Sequence, residues 1–273
     1  MSPMTKEKAS RKYIDLIRRE CSKYANWQPS KRIEVGDYGT INHDTGELEI
    51  EGNVYRDSLF ADVLPGLCGV PTSHEPMHRY VVTAKSVKGY SSRIEPGVDV
   101  LTFGAASIKG EWEFGNKRGA LLMMYRPRIS SMSNQLIQAL SKTPELKEKS
   151  LVTETFCCPA YSMYLSTQHN DKLRLELRGM IPAGSTVVTA GGGVAMEWWS
   201  DYGGGMYQDA CNAQGEYSYV PLYHLKKIRR PPILFRESPE PEPVKPLDPW
   251  INQPAPWDIL DEEGSEFEDI VSD

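Results

Sequence analysis

The stretch Lys172-Leu173-Arg174-Leu175-Glu176-Leu177-Arg178 alternates charged and apolar side chains without a break. In an extended strand successive side chains point to opposite faces, so the three leucines share one face and the charges share the other. The stretch therefore predicts a strand that packs its leucine face against a core.

The chain on both sides of this strand has the same character. Further strands are predicted before it at residues 80–84, 98–103, 111–114, 119–125 and 151–166, and after it at 186–200 and 216–225. Towards the N-terminus a hairpin is predicted over residues 31–55, with Ile33-Glu34-Val35 as one arm and residues 47–51 as the other. The protein is therefore expected to be rich in β-structure.

Two helices are predicted beside these strands. Residues 5–26 carry an apolar stripe at helical spacing and an excess of Lys and Arg, and Pro29 follows them. This pattern is typical either of an interfacial membrane anchor or of a surface helix that packs on a core. Residues 132–149 predict a second helix, with Ser131 or Ser133 as N-cap and Pro144 as an interruption.

The charge is divided unevenly along the chain. Residues 236–273 hold twelve acidic and two basic side chains, whereas residues 1–235 hold 29 basic and 25 acidic ones, so the whole chain is at −6. This division predicts a membrane-directed body over 1–235 and a short acidic autoinhibitory tail over 236–273, whose loss would make the molecule positive. Prolines are expected to exclude both helix and strand from the tail, which would lie along the body as an extended arm anchored by Trp250 and Trp257.

The motifs of enzymes and of metal sites are missing from the sequence. It contains no phosphate-binding loop, dinucleotide fingerprint or G-x-S-x-G motif. Pro76 separates His74 from His78, so the pair lacks the helical face of a zinc site, and neighbouring thiols in Cys157-Cys158 point to opposite faces of a strand. In Trp198-Trp199 one ring is expected in the core and the other half exposed. We therefore expect a protein without catalytic residues, metal or cofactor, and without nucleic acid as a partner.

The location of the protein is predicted from features that it lacks. The sequence has no apolar run long enough for a transmembrane helix and no apolar signal-peptide core, and Ser2 excludes N-myristoylation. Its five cysteines show no disulfide-like spacing, which indicates reduced thiols. These features predict a cytoplasmic protein.

Several segments resemble fungal gasdermin-like cell-death proteins. These are Tyr24-Ala25-Asn26-Trp27-Gln28-Pro29, residues 35–41, Thr45-Gly46-Glu47, residues 51–55, residues 151–155, Cys158-Pro159-Ala160-Tyr161, and the basic run 226–230 before the acidic tail. The resemblance covers roughly residues 10–235 and the position of the tail. It implies an α+β fold: a twisted, mainly antiparallel β-sheet with flanking helices, as in the gasdermin N-terminal domain, followed by the extended Pro- and acid-rich tail.

The resemblance also implies a mechanism. A subtilisin-like protease would remove the tail, here after Phe235, and the freed body would bind acidic phospholipids such as cardiolipin and phosphatidylserine at the cell membrane. The bodies would then form a homo-oligomer, and two hairpin regions would refold into the membrane-spanning strands of a pore, which causes regulated cell death such as heterokaryon incompatibility. The predicted lipid-binding residues are Arg11, Lys12, Arg18, Arg19, Lys226, Lys227, Arg229 and Arg230.

One departure from the family keeps an alternative open. Animal gasdermins carry a large globular repressor, whereas this tail has only 38 residues (236–273), so a small arm would have to inhibit the body. The alternative is a soluble β-sandwich interaction protein whose acidic tail binds a partner through Trp250 and Trp257.

Overall fold

A computed structural model describes residues 5–64, 70–84, 87–93, 106–180, 195–229 and 248–266, without the side chains of 87–93, 106–108, 179–180 and 195. Within these ranges the chain forms antiparallel β-sheets and two α-helices, which confirms the prediction of a β-rich α+β protein. The predicted strand at 98–103 and most of the one at 186–200 lie outside the described residues.

The two helices begin at polar N-caps and end earlier than the sequence predicts. Helix α1 is Lys6–Cys21, and the Thr5 hydroxyl accepts a hydrogen bond from the amide of Lys8 at 3.4 Å. It ends because Ser22 adopts a left-handed conformation with φ of 58° and donates its N–H to the Arg18 carbonyl. Helix α2 is Asn134–Leu140 behind the N-cap Ser133, and Pro144 begins a separate 3₁₀ turn, Pro144–Leu146.

The strands of the described residues are numbered β1 to β16 in chain order. Their bounds are β1 (Tyr24–Ala25), β2 (Asp37–Ile41), β3 (Leu48–Asn53), β4 (Thr72–Ser73), β5 (Arg79–Thr83), β6 (Val87–Arg93), β7 (Ala106–Phe114), β8 (Ala120–Tyr125), β9 (Arg128–Ser131), β10 (Ser150–Cys158), β11 (Ala160–Leu165), β12 (Asp171–Met180), β13 (Ala195–Tyr202), β14 (Met206–Cys211), β15 (Tyr219–Ile228) and β16 (Trp250–Asn252). A second 3₁₀ turn is Ser58–Phe60.

These strands form three sheets in which all neighbours are antiparallel. Sheet A has the order β1-β15-β10-β2-β3, with β16 added beside β15, β9 beside β10 and β4 beside β9. Sheet B has the order β14-β11-β8-β5, and sheet C has the order β13-β12-β7-β6. The chain passes from sheet A to sheet B at Pro159, which divides the predicted strand at 151–166 into β10 and β11.

Sheet B is buried on both faces. In β8, Ala120, Leu122 and Met124 belong to a core shared with α1 and sheet A, whereas Leu121 and Met123 belong to a core shared with sheet C. The same alternation separates Met163 from Tyr164 in β11. Since successive side chains alternate between faces and both faces are covered, these two strands are apolar along nearly their whole length, with the buried Ser162 as the exception.

Helix α1 packs on the core, which is one of the two interpretations that its sequence allows. Tyr13, Ile14 and Ile17 are fully buried, and the Tyr13 hydroxyl donates to the Leu121 carbonyl of β8 at 2.9 Å. A separate core surrounds α2 and contains Leu136, Ile137 and Leu140.

Two sequence predictions are wrong in this fold. Ile33-Glu34-Val35 is not a strand, because Asp37 closes a turn by accepting the amide of Glu34 at 2.7 Å, and Gly36 takes a positive φ of 91°. The hairpin is instead β2 with β3. The tail also contains a strand, β16, because the interval between Pro249 and Pro254 leaves three residues free to pair.

The leucine face of β12 provides a test of how sheet C packs on sheet B. Leu175 is fully buried between sheets B and C, so Leu175→Ala is expected to lower the free energy of unfolding by about 2–5 kcal/mol through lost burial and a residual cavity. Urea denaturation measures the loss. Lys172→Ala, on the solvated face of the same strand, should stay within about 0.5 kcal/mol of the parent, and equal losses would contradict the assignment of faces.

Candidate functional site: the docked C-terminal segment

Residues 248–266, here called the C-terminal segment, begin by extending sheet A. Strand β16 pairs with the end of β15, so that Trp250 lies opposite Ile228 and Asn252 opposite Lys226. The amide of Arg229 donates to the Pro249 carbonyl at 2.7 Å. The two ends of the intervening chain therefore meet, where β15 and β16 are antiparallel neighbours.

Trp250 anchors the segment in the core around α2. Its side chain is buried, and its indole N–H donates to the Ile137 carbonyl in the middle of α2 at 2.6 Å. Trp250 belongs to the same apolar cluster as Val35 and Leu151. Because the ring is buried and its N–H has a hydrogen-bond partner, this contact stabilises the docked segment without leaving a polar group unsatisfied.

Trp257 anchors the segment in a different core. It belongs to the cluster that contains Tyr13 and Ile14 of α1, and its indole N–H donates to a carboxylate oxygen of Asp15 at 3.2 Å. Asp15 is itself buried and pairs with Arg19 at 2.7 Å and with Arg18 at 3.4 Å. The carboxylate of Asp15 thus joins the C-terminal segment to two arginines of α1.

Between the two tryptophans the backbone of the segment is held by polar groups of the body. The backbone N–H of Gln253 donates to the Leu225 carbonyl at 2.9 Å. The side-chain oxygen of Gln253 accepts a hydrogen bond from the Ser150 hydroxyl at 2.9 Å. The hydroxyl of Tyr24 donates to the Pro254 carbonyl at 2.9 Å. These partners satisfy buried backbone groups that would otherwise be costly to remove from water.

Residues 261–266 form an acidic turn over the first half of α1. The Asp261 carboxylate accepts the amides of Glu263 and Ser265, both at 2.8 Å, and so closes the turn on itself. Gly264 has a positive φ of 83°, and a Cβ at this position would lie 2.9 Å from the Lys8 carbonyl. Glycine is therefore required here both for the backbone conformation and for the close approach to the helix.

Four cations of the body converge on this turn. Arg11 binds the Glu266 carboxylate and the Gly264 carbonyl, both at 2.9 Å, and Lys12 donates to the Glu262 carbonyl. Lys117 pairs with Glu263 at 2.6 Å. The fourth cation, Lys8, donates to the Ser265 hydroxyl at 3.0 Å. Arg11 and Lys12 are buried in this contact, which is unusual for charged side chains without such partners.

Burial dominates the electrostatics of Lys12. Desolvation lowers the pKa of its ammonium from 10.5 to about 8, while the carboxylates of Glu263 and Glu262 act in the opposite direction. The positive charge at this position therefore persists at neutral pH but is less stable than on a solvated lysine.

The predicted lipid-binding residues lie on two separate elements. Arg11, Lys12, Arg18 and Arg19 all lie on α1, the first two under the acidic turn and the others beside Asp15. Lys226 and Lys227 lie near the end of β15, and Arg229 follows this strand. Lys227 lies 4.0 Å from Glu148 of the body, which is not a tail carboxylate. Arg230 and the predicted cleavage site Phe235 lie outside the described residues.

Sequence reasoning did not identify Lys8, Lys117, Asp15 and Gln253 as part of this contact. Lys8 could have been found, because positions 8, 11, 12 and 15 share one face of a helix. Lys117 comes from the turn between β7 and β8, and its arrival beside Glu263 depends on how the sheets stack. The sequence around Lys117 therefore contains no local pattern that would predict this contact.

The other candidate residues of the sequence were considered for metal binding within the described ranges. No group of three potential metal ligands occurs there. Trp198 is buried and Trp199 is 38% exposed, which confirms the prediction for that pair. Cys158 is buried and Cys157 is half buried, and burial raises the pKa of both thiols.

Comparison with known proteins leaves the family of the chain open. No protein-family model matches it, and no curated protein is significantly similar to it. Among the described residues, no helix has the length and apolar character needed to cross a bilayer.

The contribution of Trp257 can be measured directly. Trp257→Ala is expected to lower the free energy of unfolding by about 3–5 kcal/mol and to remove hydrogen-exchange protection from residues 257–266, because the ring fills part of a core. Trp199→Ala, which truncates a half-exposed ring, serves as the matched control and should cost less than about 1 kcal/mol. Unchanged protection in Trp257→Ala would mean that the ring does not anchor the segment.

The lowered pKa of Lys12 predicts a pH dependence. Between about pH 8 and 10.5 the folded protein has released the Lys12 proton while the unfolded chain retains it, so in this window the contribution of Lys12 to stability rises with pH. We expect the free energy of unfolding of the parent, measured relative to Lys12→Met, to increase from pH 8 to pH 10. Subtracting the free energy of unfolding of Lys12→Met removes the contributions of the buried tyrosines and thiols, because these groups titrate in both proteins. Parallel pH profiles would contradict the lowered pKa.

Proposed function

We propose that this chain is an autoinhibited, gasdermin-like pore-forming protein whose acidic tail covers a membrane-directed body. In this proposal the intact protein stays in the cytoplasm. After a subtilisin-like protease cuts between the body and the tail, at Phe235, the body binds acidic phospholipids of the cell membrane, oligomerises and forms pores that cause regulated cell death.

One observation carries the proposal: the acidic turn lies on the basic face of α1. Arg11 and Lys12 would be natural partners for anionic headgroups, and in this structure Glu266 and the backbone of the turn occupy them. A basic residue near an anionic surface contributes about 1 kcal/mol of binding free energy. Release of the acidic turn would therefore expose cations and remove negative charge in one step.

The two tryptophans support the autoinhibitory role of the tail. Surface ion pairs contribute little to stability, so charge alone would hold the tail weakly. Trp250 and Trp257 bury large apolar rings in two different cores and keep the acidic turn in place. The tail would thus be retained by apolar contacts and would inhibit through its charges.

The proposed refolding needs strands long enough to span a membrane, and sheet C contains long antiparallel strands. Strand β12 has ten residues and pairs with β7 along most of its length. A membrane-spanning strand needs about 9–11 residues, so strands of this length would suffice without added segments. The proposed refolding regions remain residues 79–125 and 151–200.

The packing of sheets B and C favours a second candidate. The two four-stranded sheets enclose one core, as in a β-sandwich interaction protein. In that candidate the acidic tail binds a partner through Trp250 and Trp257. Both rings are occupied within their own chain here, so partner binding would first have to displace the segment.

Vesicle leakage tests the proposal. The full chain would carry an engineered protease site within residues 230–247, and dye release would be followed from vesicles of phosphatidylserine or cardiolipin before and after cutting. We expect leakage only after cutting, with none from neutral phosphatidylcholine vesicles. No leakage from cut protein that is still folded and has lost its tail would reject pore formation and favour the second candidate.

The same assay tests the role of α1. Arg11→Gln combined with Lys12→Gln is expected to weaken binding of the cut protein to acidic vesicles by about 30-fold, since two cations contribute about 2 kcal/mol. Lys142→Gln with Lys147→Gln removes the same charge from an exposed site near α2 and is the matched control. Equal losses from both pairs would indicate an effect of net charge and not of this helix face.

A further inference from the structure

Ser265 has a position in the acidic turn that the proposed function does not use. Its amide donates to the Asp261 carboxylate at 2.8 Å and its carbonyl accepts the Asp261 amide at 2.8 Å, so the backbone around it is fixed. Its side chain is half buried at the edge of the contact. The hydroxyl oxygen accepts from the exposed Lys8 ammonium at 3.0 Å.

This hydroxyl faces the cationic side of the contact. Lys8 is its direct partner, and the neighbouring residues Gly264 and Glu266 are both bound by Arg11. A group with more negative charge on this oxygen would gain charge-assisted hydrogen bonds from Lys8, whose side-chain partner among the described residues is this neutral hydroxyl. The contact with Lys8 would then change from a weak hydrogen bond to an ion pair.

The sequence around Ser265 is suited to one class of modifying enzyme. Asp261, Glu262 and Glu263 precede the serine, and Glu266, Glu268 and Asp269 follow it. Kinases select substrates through complementary charge, so a serine flanked by carboxylates fits a kinase with a basic substrate groove. None of the flanking residues from 261 to 269 is basic.

We propose that Ser265 is a phosphorylation site at which the phosphate strengthens docking of the C-terminal segment to α1. The Ser265 oxygen attacks the γ-phosphorus of a nucleoside triphosphate and forms the new phosphorus–oxygen bond. The bond to the β,γ-bridging oxygen breaks, a nucleoside diphosphate leaves, and the hydroxyl proton passes to the base of the kinase. The inference about docking is independent of membrane activity; only its consequence, a more strongly restrained body, rests on the proposed function.

Lys8 determines whether phosphorylation of Ser265 strengthens or weakens docking of the C-terminal segment. A phosphoserine carries nearly two negative charges at neutral pH, and the carboxylates of Asp261, Glu262 and Glu263 repel them. Opposing this repulsion are the Lys8 ammonium at the serine oxygen and the adjacent Arg11 guanidinium. With Lys8 present the attraction is direct and the repulsion is spread over a solvated turn. Without Lys8 the repulsion remains and the nearest attraction is lost.

The test uses the intact chain and reads docking through hydrogen exchange of residues 250–266. An acidophilic serine kinase with a magnesium nucleoside triphosphate supplies the phosphate, and mass spectrometry locates it. We expect incorporation at Ser265, its loss in Ser265→Ala, and about tenfold slower exchange in the segment after phosphorylation, as one new charge-assisted contact allows. High salt should reduce the gain.

Lys8→Gln supplies the decisive comparison. In this variant phosphorylation is expected to accelerate exchange of the segment, whereas in Lys172→Gln, which removes an exposed lysine from sheet C, it should still slow exchange. The same sign of change in the parent and in Lys8→Gln would overturn the proposed contact. Failure of the kinase to modify Ser265 in the folded chain would overturn the site itself. Neither result depends on vesicles, so each is distinguishable from a failure of the pore proposal.

Discussion

The burial of sheet B on both faces is the constraint on which the rest of the structure depends. Each residue from Ala120 to Met124 must find an apolar environment, and the environments alternate between the α1 side and the sheet C side. Full burial of one leucine or methionine contributes about 1.5–3 kcal/mol, so neither covering layer is dispensable. Helix α1 therefore has a structural role before any functional one: it closes one side of sheet B, and the Tyr13 hydroxyl holds it to the backbone of β8. Its basic face is thereby directed to where the C-terminal segment docks.

The docked segment belongs to the cores of the body as well as to its surface. Trp257 and Leu260 complete the cluster beneath α1, and Trp250 completes the one beside α2. The carboxylates of the acidic turn stay partly exposed, so water weakens their ion pairs even though Arg11 and Lys12 are buried beneath them. Apolar burial therefore supplies most of the docking free energy, and the charges determine which surface the turn covers. The buried Asp15 links the two kinds of contact, because it accepts from the Trp257 indole and forms ion pairs with two arginines.

The sequence predicted the elements whose signals are local. The alternation at 172–178 correctly predicted β12 and its buried leucines, and Ser133, one of the two N-caps that the sequence offered, begins α2. The predictions were wrong where a distant strand or a single side chain determines the local structure. Three residues between prolines become β16 because β15 offers them a free edge, and Asp37 turns the chain where Ile33 and Val35 suggest a strand. At the candidate site the charge asymmetry was visible in the sequence, but the convergence of Lys117 with α1 on one turn depends on the tertiary stacking of the sheets.

The hydrogen bond between Arg229 and Pro249 has a consequence for what a single cut would achieve. Since the two ends of the intervening chain meet, a break within it removes no described contact of the segment. What the break changes is the molecularity of the equilibrium. In the continuous chain the segment re-docks at an effective concentration of about 1 mM, set by its tether, whereas a severed segment at about 1 µM re-docks a thousandfold less often. Cutting thus converts a concentration-independent restraint into one that dilution relieves, and the abundance of the protein enters the control of its own activation.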